Sequence, residues 1–196
     1  MLRRPILRRR AALSLAALAA ARLARAGEEP VAALLGAFAA IRERRAAFAE
    51  EKELPELDRP LRSHGTLSWR APDRLEKRTA APIEEVLRIE GETLTLERPQ
   101  QGVRQVLGLD QAPELRPLVE AIRATLAGDL PALRRHFALA FAGDPAEGWT
   151  LVLTPLSPRV LAAVQRVTLS GRGAAILGVE SQQGGGFTRL RIEPAR

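Results

Sequence analysis

Hydrophobic and polar positions alternate over most of this chain, in short bursts. Residues 61–82, LRSHGTLSWRAPDRLEKRTAAP, place Leu67 and Trp69 two apart, break at Pro72 and resume with Leu75 and Lys77. Side chains two apart on a strand share a side, so the stretch predicts a strand pair with one apolar face. That face lies either over an ordinary packed core or along a cavity. Similar alternation covers Phe48–Leu54, Leu61–Arg70, Arg74–Ala80, Glu85–Glu90, Thr93–Arg98 and Val103–Leu109, with Pro60, Pro72, Pro82, Gly91 and the PQQG at 99–102 as punctuation. Six segments in succession at this spacing predict an antiparallel meander.

Two stretches have a different period. Val31, Leu34, Leu35, Phe38 and Ile41 stand at helical spacing and predict an amphipathic helix up to about Arg45. In APELRPLVEAIRATLAGDL, Leu115, Leu118, Val119, Ile122 and Leu126 form a second apolar stripe, which ends at Gly128. Strands then return at Phe137–Ala142, Trp149–Thr154, Val164–Gly171, Ala175–Gln182 and Phe187–Ile192, with a helical turn near Ser157–Ala163. The last two strands join across Gly184, Gly185 and Gly186, and Gly171-Arg172-Gly173 reads as a hairpin turn.

Each strand offers its aliphatic residues to one side. Leu67 and Trp69, Leu87 and Ile89, Leu94 and Leu96, Leu107 and Leu109, Leu151 and Leu153, Val167 and Leu169, and Leu190 and Ile192 are pairs of shared parity. A mainly β chain of about eleven strands in one sheet, covered by two apolar-faced helices, must curl strongly.

Composition changes this picture at one end only. The chain of 196 residues carries a formal charge of +7 and is 46% hydrophobic, which is enough for a core. Arg3, Arg4, Arg8, Arg9, Arg10, Arg22 and Arg25 all precede Gly27, and no acidic residue does. Without these seven, 23 basic residues face 23 acidic ones, so the basic balance does not describe the remainder. Residues 1–26 have a basic start, an apolar run from Ala11 to Ala21 and the ending Ala24-Arg25-Ala26. That is the layout of a cleavable bacterial export signal, cut near Ala26, and the arginine run also suits a twin-arginine route. The apolar run is shorter than the roughly 20 residues a membrane-spanning helix needs. Residues 27–196 then form a single domain, with no repeat or linker. Cysteine is absent, which excludes disulfides, thiolate metal sites, a thiol nucleophile and a lipid anchor on cysteine. The expected location is the periplasm, free of the membrane.

Candidate chemistry is sparse. His64 and His136, the two histidines, have no ligand-spaced Asp, Glu or Cys beside them, so no metal site is expected. Nucleophile-elbow, phosphate-loop and zinc-protease motifs are missing. Glu50, Glu51 and Glu53 include carboxylates that could be paired, but alternation sets Glu50 on the face opposite the other two, as on a solvated edge strand. An enzyme is disfavoured and no cofactor is expected. Neutral charge beyond residue 26 and few aromatic residues disfavour nucleic acid.

FAEEKELPELDRPLRSHGTLSWRAPDRLEKRTAAP, EGETLTLERP and WTLVLTP, following an N-terminal helix in an exported chain, resemble the periplasmic outer-membrane lipoprotein carriers of the LolA type. The likeness runs from about Val31 to Ile192, with GTLSWRAPDRL and WTLVLTP its most specific parts. It implies an unclosed, strongly curled antiparallel β-barrel with an N-terminal helix and a lid helix over a concave apolar face that holds acyl chains. On this chain the cavity lining would be Leu67, Trp69, Leu75, Leu87, Ile89, Leu94, Leu96, Leu107, Leu118, Ile122, Leu126, Leu151 and Leu153. Arg70 and Lys77 would stand at its mouth. Lys77 shares a side with Leu75, and an ammonium there would keep its stem on the wall and its charge toward water, or else face solvent on a twisted strand. The implied partners are an acylated lipoprotein or lipid cargo, with inner-membrane donor and outer-membrane acceptor proteins, for a monomeric carrier. Family carriers have an arginine immediately before the motif's proline; here that position is Ala71, with Arg70 one step earlier, so the usual onward-transfer step does not carry over. The same fold also serves as a lipid-sensing module in envelope regulation.

Overall fold

The computed structural model describes residues 29–111 and 116–195, without the side chains of Pro117 and Leu118. The expected export segment at 1–26, Leu115 and the Leu118 side chain therefore lie outside the described residues. Eleven antiparallel strands form one sheet: β1 Glu43–Glu53, β2 Leu61–Arg70, β3 Arg74–Ala81, β4 Glu85–Glu90, β5 Thr93–Arg98, β6 Val103–Gly108, β7 Phe137–Asp144, β8 Gly148–Pro155, β9 Val164–Arg172, β10 Ala175–Gln183 and β11 Gly186–Pro194. Their spatial order is β6-β5-β4-β3-β2-β1-β11-β10-β9-β8-β7. The sheet is unclosed, with β6 and β7 as its free edges. The connection between those edges carries helices α2, Arg116–Ala127, and α3, Leu130–His136. Helix α1 covers residues 29–39, and α4, Pro158–Ala163, joins β8 to β9.

Two apolar clusters explain the curl. Val31, Leu34, Leu35 and Phe38 of α1 are buried together with Phe137, Trp149, Leu151, Leu153, Val167 and Leu169 of β7–β9. Full burial of one such side chain contributes about 1.5–3 kcal/mol. The rings of Phe38 and Trp149 meet edge-on at 5.7 Å, and Trp149 Nε1 donates to Gly173 O at 2.9 Å. A second cluster joins Ile89 of β4, Leu94 of β5, Leu109 and Val119 of α2. Because Ala121 and Ala124 of the same helix belong to the first cluster, one short helix touches both halves of the sheet. The sheet must curl around it to allow this.

Helix α1 ends six residues before the predicted Arg45, and β1 has already begun at Glu43. Helical spacing from Phe38 to Ile41 loses to pairing, because β1 is hydrogen-bonded to β2 on one side and β11 on the other. The same pairing overturns the edge-strand reading of Glu50: β1 is interior, and Glu50 faces the concave side. The described apolar contacts of α2 also depart from the predicted stripe. Val119, Ala121, Ala124 and Thr125 are buried, whereas Ile122 is exposed. Small residues let the two helices approach closely. Gly128 ends α2 with a φ of +74°, and a Cβ there would overlap the Leu35 carbonyl and stand 2.7 Å from Ala39 Cβ. Helix α3 had no counterpart among the sequence expectations. Its signals are Asp129, whose side chain accepts from Ala132 N at 2.9 Å, and Pro131 in the first turn.

Candidate functional site

The strand register sorts the concave face into rows across the sheet. The first runs Arg44–Trp69–Leu75–Ile89–Leu94–Leu107 and the second Ala46–Leu67–Lys77–Leu87–Leu96–Gln105. A third begins Phe48–Gly65–Thr79–Glu85. Beyond it, Ser63–Glu50–Leu190–Val179–Leu169–Leu151–Phe141 and then Leu61–Lys52–Thr188–Ser181–Val167–Leu153–Leu139 cross β1 into the other half.

Eight of the residues proposed from sequence thus share one face of β2–β6: Leu67, Trp69, Leu75, Leu87, Ile89, Leu94, Leu96 and Leu107. They are not equally covered. Trp69, Ile89 and Leu94 are buried, Leu67, Leu75, Leu87 and Leu96 are half-buried, and Leu107 is 39% exposed. Leu151 and Leu153 face the same side but lie fully packed in the cluster under α1. On α2, Leu126 is half-buried and Ile122 is 40% exposed. The concave side therefore has a packed half, β7–β9, and a half whose second apolar row is only partly covered.

Polar groups on this face are largely matched. Lys77 Nζ donates to both Glu50 carboxylate oxygens, at 2.8 and 2.7 Å, and lies 5.0 Å over the Phe48 ring. Ser63 Oγ donates to Glu50 Oε2 at 2.7 Å. Arg98 Nε donates to Glu85 Oε2 at 2.8 Å. Lys77 thus points inward, as alternation indicated, with its charge already paired. Arg70 instead belongs to the convex face, where it pairs with Glu43 at 3.1 Å. Its guanidinium, through a hydrogen bond first and its charge second, holds the Glu43 carboxyl below the usual range.

Three arginines missed by the sequence reading fix the helices. Arg44, beside Trp69 in the first row, donates to Phe38 O at the end of α1 and to Ala174 O, and sits 4.9 Å over the Phe38 ring. Desolvation by burial lowers its pKa. Arg123 of α2 donates to Gly91 O in the β4–β5 turn, and Arg116 pairs with Glu92 next to it. Burial lowers the Arg123 pKa first, against opposing contributions from Asp73 and Glu120. Arg44 fell within the predicted first helix, so its inward place on β1 was not legible, and the Ala174 and Gly91 carbonyls come from distant turns that no local pattern marks.

No group of three or more potential metal ligands exists among the described residues, and no described helix is long and apolar enough to cross a membrane. No curated protein matches this chain. Among solved structures it is similar to the LolA superfamily protein NE2245 from Nitrosomonas europaea, at 12% identity and a TM-score of 0.43 over 82% of this chain and 90% of that one. It is similar also to LprF from Mycobacterium bovis, at 8% identity and TM-score 0.37 over 86% of this chain and 92% of that one. A DUF1329 family protein from Desulfovibrio piger shows 9% identity and TM-score 0.37 over 86% and 90%. Residues 20–190 match the family model described as outer membrane lipoprotein carrier protein LolA-like, and the chain belongs to that family.

Proposed function

We propose that the chain is a periplasmic carrier that holds acyl chains of a lipoprotein or lipid against its concave face and ferries them between membranes. The observation that carries this reading is the partly covered second apolar row on β2–β6, where Leu67, Leu87 and Leu96 are half-buried and not sealed as in a closed core. Removing an acyl chain of roughly sixteen carbons from a membrane forfeits about 12 kcal/mol, at about 0.8 kcal/mol per CH₂. A curled sheet with a helix across it offers enclosing area that a flat groove lacks. Residues 1–26 act as the export signal and 27–196 as one lipid-binding domain, with the carrier monomeric and its role non-enzymatic. An inner-membrane donor and an outer-membrane acceptor protein complete the proposed route.

Native mass spectrometry of the protein purified from its own periplasm tests the reading. A co-purifying acylated adduct on a chain that begins near Gly27 is the expected result. A stable complex with protein alone, or turnover of an added substrate, would overturn it.

A further inference from the structure

We propose that Lys52 holds the monoanionic head group of the acylated cargo, at the end of the concave face where β1 runs into the loop at 54–60. The inference rests on the carrier reading and adds the polar end of the ligand to it.

The chain contains two lysines among its 30 basic residues, and by alternation both face the concave side. Lys77 is neutralised by Glu50. Lys52 has no carboxylate within ion-pairing distance among the described residues. It lines a cleft of about 250 Å³ together with Leu54, Glu56, Gln183, Phe187 and Thr188. Thr188 is directly opposite Lys52 on β11 and is buried, yet its hydroxyl makes no hydrogen bond with a described residue. A cation and a free hydroxyl therefore face one space, a donor set suited to a carboxylate or phosphodiester oxygen. Among the described residues Lys52 is the one cation lining the cleft, which also holds Glu56, so the site matches no more than a single negative charge. In the adjoining row, Leu190 and Val179 are half-buried and paired across β11 and β10. An acyl chain along them would bring its head to Lys52, whose flexible stem can follow the wall while its ammonium reaches the anion. Lys52 is half-buried, which leaves its ammonium access to water at this end.

The test titrates the purified protein with a fluorescent long-chain fatty acid and with its methyl ester, above the acid's pKa. The acid should bind about tenfold more tightly than the ester, as a charge-assisted contact requires. Lys52→Gln should remove that difference and leave ester affinity unchanged, and Thr188→Val should reduce it. Undiminished preference for the acid in Lys52→Gln would overturn the assignment while leaving the carrier reading intact. Failure of both probes to bind the unsubstituted protein would overturn the carrier reading, and this inference with it. Inorganic phosphate should not displace the acid at millimolar concentration; displacement would mean the cleft takes a free oxyanion and not a lipid head.

Discussion

Lys77 reaches Glu50 across an intervening strand, and it crosses where that strand has no side chain, at Gly65. Lys77 is on β3, Glu50 on β1, and Gly65 of β2 stands between Phe48 and Thr79 in the row they span. Their side chains are 29% and 16% exposed, so the pair is shielded from water but not sealed. Lys77→Gln should cost about 1–2 kcal/mol because it strands the Glu50 carboxylate, and Lys77→Gln with Glu50→Gln should recover part of that. Urea denaturation of both single variants and the double variant measures the coupling, and single losses that simply add in the double variant would mean the charges do not interact.

Leu94 and Leu96 are neighbours of shared parity with different surroundings. Leu94 is 6% exposed, in the cluster with Ile89, Leu109 and Val119, while Leu96 is half-buried in the partly covered row. Leu94→Asp should be severely destabilising, by 3 kcal/mol or more on the order of a buried unpaired charge, whereas Leu96→Asp should fold and lose binding of an apolar fluorescent probe. Thermal melts and probe titration read the two effects.

Gly128→Ala is expected to destabilise by about 2 kcal/mol or more, since it combines a left-handed backbone with overlap of the Leu35 carbonyl. A fall in the melting temperature checks it.

Arg123→Ala should free α2 from the β4–β5 turn without unfolding the sheet. Hydrogen exchange should then quicken for α2 amides and stay unchanged in β8 and β9.

The Glu43–Arg70 pair gives the protein a small acid sensitivity. The folded carboxyl has a pKa below its unfolded value, so its contribution is present above the unfolded pKa and disappears as pH falls through the depressed folded one. Glu43→Gln should flatten that part of the stability profile at low salt, and high salt should do the same because the pair is exposed.

Strands were the most legible part of the fold. Leu61–Arg70, Glu85–Glu90 and Thr93–Arg98 have the boundaries that their alternation predicted, because each has one face toward the core and turn residues at its ends. Helix ends were less legible. Ile41 continues the α1 period in sequence, but its neighbours are claimed by pairing with β2 and β11, partners that local spacing does not register. For the site, parity placed Leu67, Trp69, Leu75, Leu87, Ile89, Leu94, Leu96 and Leu107 together. It could not grade their cover, which depends on where α1 and α2 dock. Nor could it find Glu50 as the partner of Lys77, since that contact depends on the register of three strands at once.

The place of β1 at the junction of the two halves has a consequence for the order of assembly. Its partner β2 follows within 20 residues, whereas its other partner, β11, pairs Pro194 with Ala46. A meander of local hairpins from β1 to β6 can zip as soon as it is available, and β7 to β11 can do likewise. The β1–β11 seam has to wait for the far end of the chain, and such long-range closure is the slow step for a sheet of this topology. Until then β1 is a bare edge bearing Phe48, the position at which an incompletely synthesised or C-terminally clipped chain would stick to its neighbours.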